Sequence, residues 1–330
     1  MRSGLLARSM ISVLPPDLGR PYAIVAAEGQ ASPLDLPEST FIDLYKTHGA
    51  LLFRGFDMDL ATFRAFTARY CSSSVFNESP DRLLVDRENN IQSVNLGVDP
   101  FPLHPELSRE PWKPDVCFFW CMSPPSRGGE TVVCDGVEIV RRLPPPVFEE
   151  LRSRRLYYTQ VMAPEVCRYW LGSAEPDDET MRNPPAGCPY TFFRLNGRIA
   201  RSLNRPALHK PMFTNDLAFG NFLLFARYYL GKKNFPTFER GELVPDELVA
   251  AVKAASDPIT APVAWRGGDF IVLDNSRFMH GRNAIVEMSE RQIASFFGYL
   301  HFAEPDAEEI PDAPWRREMF KPPQPARPAR

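Results

Sequence analysis

The chemistry in this sequence begins at "LHPEL", where His104 and Glu106 stand either side of one proline. They precede an apolar run, Val116 to Cys121, that reads as a buried strand. In an extended chain, residues i and i+2 face the same side, so an imidazole nitrogen and a carboxylate oxygen can meet at one point. A charged group at the mouth of a core is costly unless something holds it. Only five histidines exist: His48, His104, His209, His280 and His301. His280, in "GGDFIVLDNSRFMHGRNAI", follows a strand-like run and a turn-like "DNS". It is the natural third donor. Two imidazoles and one carboxylate on one face suit a non-haem Fe(II) that keeps positions open for substrate and oxygen. The plainer reading is solvated side chains, since an acid two residues after a histidine often arises by chance. A zinc hydrolase would usually carry H-E-x-x-H on a helix, which is absent. A binding protein without metal is the third reading.

Two further positions stand out. In "SRGGETVVCD", Gly128 and Gly129 make a tight turn and Thr131 opens a strand. In "RQIASFFGYL", Arg291 enters a strand on which Ile293, Ser295 and Phe297 share its side. An arginine among inward-facing apolar groups needs an anionic partner. Taken singly, these are also a plain turn and an exposed strand-end charge. His48, His209 and His301 read as structural.

The elements that must position these groups are mostly strands. "ALLFRGF", "DVCFFWC", "ETVVCD", "RRLYYTQV", "YTFFRL", "DFIVLD" and "QIASFFGYL" are strand-like. The pattern predicts helices at "STFIDLYKTHG", capped by Ser39 or Thr40 and stopped by Gly49, and at "DLATFRAFTARYC". It predicts others at "PPPVFEELRSR", "NDLAFGNFLLFARYYLG" and "VPDELVAAVKAASD". No strict βαβ alternation appears, so a mostly β sandwich or barrel with flanking helices fits best. The 330 residues are read as one domain without a dividing linker. The stretch 162–189, rich in Pro, Gly, Asp and Glu, reads as a lid or a disordered excursion. The Pro-rich tail after Pro311 reads as a strap or disordered, and "MRSGLLARSMISVLPP" as a frayed end or edge strand.

Composition excludes several classes. Hydrophobic residues at 44% and aromatics at 12% support a sizeable core. A net charge of -3 gives no reason to expect nucleic acid or an anionic membrane as partner. No apolar run approaches the ~20 residues of a membrane span. The six cysteines are scattered and read as core thiols, which places the chain in the cytoplasm by default. Oligomeric state is not legible.

Taken together, "LHPE", "PPSRGGETVVCD", "WRGGDFIVLDNSRFMHGR" and the arginine eleven residues after His280 resemble the taurine-dioxygenase-like group of Fe(II)/2-oxoglutarate oxygenases. "HGALLFRGFDMDLATFRAF" resembles the same group's N-terminal signature, so the likeness runs from about residue 40 to 303. It implies a double-stranded β-helix, or jelly roll, with helical flanks. It implies His104, Glu106 and His280 as iron ligands. Thr131 would help hold 2-oxoglutarate and Arg291 would pair with its distal carboxylate, with Arg282 a second choice for that role. The implied cofactors are Fe(II), 2-oxoglutarate and O2, and the implied products include succinate and CO2. Halogenating relatives lack the carboxylate ligand, so Glu106 points to hydroxylation, or to desaturation or cyclisation. Glu in place of the Asp of taurine-specific members resembles the clavaminate-synthase-like branch, whose relatives act on amino acids. Ser295 stands where taurine-specific relatives carry a sulfonate-binding arginine, which argues against taurine. The expected substrate is a small amino-acid-like or amine-derived molecule, with Gln92, Val94, Asn95 and Asn215 as candidate contacts.

Overall fold

The computed structural model describes residues 10–287, 291–317 and 320–323. Among these, two sheets form the jelly roll. The major sheet has nine strands, centred on Val116–Ser123, which pairs antiparallel with Phe270–Asp274 on one side and Gln292–Leu300 on the other. Ala50–Arg54 pairs with the far side of Phe270–Asp274, and Ala23–Glu28 and Met10–Leu14 continue to that edge. The minor sheet runs Ala261–Pro262, Thr131–Asp135, Phe278–Arg282, Phe101–His104.

The central strand shows why the sequence makes this layering. Its side chains alternate between two cores with period two. Val116, Phe118 and Trp120 pack outward with Phe41, Tyr45, Phe63, Phe66 and Tyr70 of the helices Glu38–His48 and Leu60–Tyr70. Cys117, Phe119 and Cys121 face inward with Leu103, Val133 and Met279 of the minor sheet. A strand buried on both faces reads as the continuous apolar run seen in the sequence. Ile293 and Phe297 join that inner core while Ala294 and Phe296 join the outer one, as the alternation after Arg291 predicts.

Several local expectations need correction. The helix Glu38–His48 stops at Gly49 (φ 69°) as expected, but Pro37 occupies its N-cap and Ser39 and Thr40 lie in its first turn. In "NDLAFGNFLLFARYYLG" only Leu223–Tyr228 is helical. Upstream, Gly220 lies against the His209 ring, where a Cβ would come within 2.9 Å, and the Asn221 amide bonds Ala207 O at 3.0 Å and receives Leu223 N–H at 3.0 Å. The stretch 162–189 is no structureless excursion. It carries the helices Pro164–Leu171 and Asp178–Arg182, with Val166, Trp170, Leu171 and Met181 buried. Arg155–Val161, Arg198–Pro206 and Thr191–Leu195 form a third, three-stranded sheet beside it. Met10–Leu14 is an edge strand, while the preceding residues lie outside those described. At the other end Trp315 is buried, and Arg316 forks onto Asp115 at 2.8 and 2.9 Å as a strap. Residues 318–319 and 324–330 of the tail lie outside the description.

Candidate metal and cosubstrate site

His104 ends its strand and sits directly opposite His280 in the antiparallel pair, with ring centroids 4.7 Å apart. Glu106 lies beyond the strand end, in a turn that continues into Leu107 at φ 50°. The shared strand face invoked for His104 and Glu106 therefore stops at His104, and a separate device aims the carboxylate. That device is Asn275, buried in the "DNS" turn. Its Oδ1 accepts Glu106 N–H at 2.8 Å, and its Nδ2 donates to Glu106 O at 3.0 Å and Pro114 O at 2.8 Å. The turn leading to His280 thus also fixes Glu106.

One ligand-capable atom from each of His104, Glu106 and His280 lies within 4.8 Å of the other two. Glu106 Oε2 is 3.7 Å from His280 Nε2. Donors on one face of a cation at about 2 Å stand about 3 Å from each other, so the widest pair closes by about 2 Å on binding, a side-chain rotation. The protonation states suit a cation. His104 Nδ1 donates to Pro102 O at 2.8 Å when it carries the proton, which leaves the Nε2 lone pair free. Burial, and then the neighbouring His280, push His104 down to about 4, so it is neutral at pH 7. Burial opposes ionisation of Glu106, but the Arg82 guanidinium and the bond from His280 outweigh it and hold the carboxyl at about 2. His280 Nδ1 is buried without a hydrogen-bond partner. Two imidazoles and one carboxylate, with the unsatisfied buried Nδ1 of His280 among them, fit a hard-to-borderline divalent metal such as Fe(II).

These groups line a cavity of about 710 Å³, which Thr131 and Arg291 line as well. Thr131 opens its strand and accepts Trp265 Nε1–H at 3.2 Å. Arg291 Nε donates to Gly129 O at 2.7 Å. Gly129 (φ 73°) permits that approach, because a Cβ there would stand 3.1 Å from Arg291 Cδ and 2.9 Å from Ile285. Burial, and then Arg282, push Arg291 down to about 10. Among the described residues no carboxylate pairs with it, so its outer nitrogens are available to an anion. Arg282 also lines the cavity, but its Nη atoms donate to Asn95 O at 2.6 Å and Asp99 O at 2.7 Å. It is committed to holding the 95–99 loop.

The expected substrate contacts divide. Val94 and Asn95 line the cavity. Gln92 does not: it is buried behind the wall, its amide exchanging hydrogen bonds with Asn77 N–H at 3.1 Å and Asn77 O at 2.8 Å. Asn215 is exposed and away from the cavity, because the His209–Ala218 bridge turns the intervening loop outward. Sequence reasoning gave no role to the loop "FNESPDRLL", and that loop supplies the carboxylate's partners. Asn77 Nδ2 donates to Glu106 Oε1 at 2.6 Å. Arg82 reaches Glu106 Oε2 at 3.3 Å, Asn95 Oδ1 at 2.8 Å and Ser295 Oγ at 3.0 Å, over the Phe297 ring. The position that lacks the sulfonate-binding arginine is thus an acceptor for an arginine from elsewhere.

A jelly roll that gathers two histidines and a glutamate beside an anion-ready arginine defines the class of Fe(II)/2-oxoglutarate-dependent oxygenases. Residues 17–295 match the family described as "Taurine catabolism dioxygenase TauD, TfdA family", and the chain belongs to that family. It is an iron- and 2-oxoglutarate-dependent oxygenase whose cosubstrates are 2-oxoglutarate and O2. A curated relative is the 3-((Z)-2-isocyanoethenyl)-1H-indole synthase of Fischerella ambigua (strain UTEX 1903), 24% identical over 252 residues, covering 74% of this chain and 80% of that one. The fold is similar to that of PvcB from Pseudomonas aeruginosa, with a TM-score of 0.58 at 15% identity over 92% of this chain and 96% of that chain. A second PvcB structure, TM-score 0.57, is described as an Fe, alpha-ketoglutarate dependent oxygenase from an isonitrile synthetic pathway. A taurine dioxygenase from Burkholderia xenovorans shares the fold with a TM-score of 0.55 at 11% identity over 91% and 94% of the two chains.

Proposed function

We propose that this oxygenase hydroxylates an aliphatic C–H of a small amino-acid-like or amine-derived metabolite. His104, Glu106 and His280 hold Fe(II), while Thr131 and Arg291 hold 2-oxoglutarate. The observation that carries this reading is the convergence of three donors, from a strand end, a turn and a facing strand, on the wall that Arg291 and Thr131 share. Fe(II) with 2-oxoglutarate and O2 supplies the oxidation, with succinate and CO2 as coproducts. The protein's own residues do the positioning. Arg291 offers a planar fork to the distal carboxylate, which sets the diacid's angle better than a lysine would. Asn77 and Arg82 hold the Glu106 carboxylate ionised and oriented. Phe119 packs against the His280 ring at 4.8 Å and Phe225 against His104 at 4.8 Å, which keeps water from those faces. Val94 and Asn95 contact the substrate. The six cysteines are free, in keeping with the cytoplasm as the proposed compartment. No helix among the described residues is long and apolar enough to cross a membrane.

A second reading is desaturation, favoured by the curated relative whose name describes an ethenyl-bearing product. Succinate release screened across amino acids, their N-substituted derivatives and amines tests both. A coupled substrate whose product gains one oxygen atom supports hydroxylation, and one that loses two hydrogens supports desaturation. Succinate formation that no panel member accelerates would count against an amino-acid-like substrate.

A further inference from the structure

The cavity walls carry more guanidinium groups than the cosubstrate needs. Arg82 is occupied by Glu106, Asn95 and Ser295, and Arg282 by two carbonyls. Arg291 is assigned above to 2-oxoglutarate. Arg109, its side chain 40% exposed, and the exposed Arg198 also line the cavity, which leaves Arg201 as the buried guanidinium not accounted for. It lies on Arg198–Pro206 of the third sheet, away from the strands that bear the metal donors, and its side chain is 10% exposed.

Its partners are few and distant. Nη2 stands 3.5 Å from Gln160 Oε1 and 3.7 Å from Glu110 Oε2, both at or beyond the limit of a hydrogen bond. Nη1 is buried with no partner. Glu110 is itself shared, since Arg109 Nε lies 3.7 Å from its Oε1 and the Tyr190 hydroxyl donates to Oε2 at 3.4 Å. One carboxylate therefore faces two guanidinium groups at this end of the cavity. The Arg201 guanidinium carbon lies 4.4 Å from the centre of the Tyr190 ring, a cation–π contact that helps fix it in place before any ligand arrives. A dry guanidinium with an unmade hydrogen bond is a standing cost that an anion would remove. Met162, Val166, Phe222 and Phe225 line the same cavity and offer an apolar bed.

We propose that Arg201 is a specificity-determining residue that binds the carboxylate of an organic-acid substrate whose apolar body lies along that bed. This rests on reading the cavity as the oxygenase site, and it narrows the substrate class from amines to carboxylates. The two anions of the reaction are then held on different sheets, 2-oxoglutarate at Arg291 and substrate at Arg201.

The test uses metal-free full-length protein and the fluorescence of its tryptophans, of which Trp112 lines the cavity. The probes are 3-phenylpropionate and its carboxamide. The acid is expected to bind about tenfold tighter than the amide, the size of one charge-assisted hydrogen bond. Arg201→Gln should erase that preference and leave the amide's Kd unchanged, with Arg201→Lys keeping part of it. Arg291→Gln should leave the preference intact. Unchanged near-ultraviolet circular dichroism and unchanged 2-oxoglutarate binding to the Mn(II)-loaded Arg201→Gln protein establish that the variant is folded. The assignment is overturned if wild type shows no preference, if the preference survives Arg201→Gln, or if only Arg291→Gln removes it. Because the acid–amide comparison and the circular dichroism need no metal, a failure of wild type to bind Fe(II) and 2-oxoglutarate would overturn the functional reading alone.

Discussion

Replacing Arg82 with methionine tests how the buried carboxylate of Glu106 is tolerated. The two side chains are 6% and 4% exposed, so solvent screens neither. Methionine preserves most of the packing over Phe297 and removes the guanidinium with its contacts to Glu106, Asn95 and Ser295. Breaking a buried pair from one side costs about 3–5 kcal/mol, because the remaining charge keeps its desolvation penalty. With an unfolding entropy of about 2.1 cal/mol/K per residue, 330 residues give about 0.7 kcal/mol/K. A loss of about 4 kcal/mol then lowers Tm by about 6 °C. A divalent cation bound at Glu106 supplies the missing positive charge, so the deficit should shrink when metal is present. The assay is a thermal melt of both proteins in EDTA and in saturating Mn(II). We expect a gap of about 6 °C in EDTA that falls to less than half with Mn(II). A gap under about 1 °C in EDTA, or one that metal leaves unchanged, would refute the reasoning.

Arg291→Gln should weaken anaerobic 2-oxoglutarate binding by about 10- to 100-fold in calorimetric titration, the range of a lost charge-assisted contact, while Arg282→Gln should leave that Kd nearly unchanged. Asn275→Ala removes two hydrogen bonds that tie Glu106 to the turn before His280 and a third to Pro114 O. It should cost about 2–4 kcal/mol in urea unfolding and lower metal affinity as well. His209 gives a pH dependence away from the metal site. Burial, and then the Lys113 ammonium, push its imidazole down to about 4 from an ordinary 6.5. Its contribution to stability is therefore complete above about 6.5 and is lost as pH falls toward 4, because the unfolded chain takes up the proton first. His209→Gln should flatten that part of the Tm–pH curve, and an unaltered acid limb would count against it.

How much of this was legible in the sequence depends on whether a residue's partner lies in a periodic element. Strands buried on both faces announce themselves as apolar runs, so Val116–Ser123, Phe270–Asp274 and Gln292–Leu300 were readable. The two histidines and Glu106 were readable as types at suggestive positions, and the structure brings them together. Arg82 and Asn77 were not. They sit in a loop with no period, and the carboxylate they serve is 24 and 29 residues away, so nothing local marks them. Gln92 was placed on the right strand, but its amide is spent on the backbone of Asn77, and it is Asn77 that lines the cavity. Asn215 came from a motif likeness alone, and the loop geometry carries it to the surface. The helix Pro164–Leu171 did leave a signal, proline at its first turn and Gly172 at its end, which the surrounding Pro and Gly content obscured.

The central claim is that His104, Glu106 and His280 hold one ferrous ion with 2-oxoglutarate beside it. Anaerobic titration of the metal-free protein with Fe(II) and 2-oxoglutarate, followed by visible absorption and by metal analysis, tests it most directly. The account predicts one Fe(II) per chain and a weak charge-transfer band in wild type, both lost in His104→Ala and His280→Ala. A wild-type protein that gives no band, or a band that survives unchanged in either variant, would contradict it.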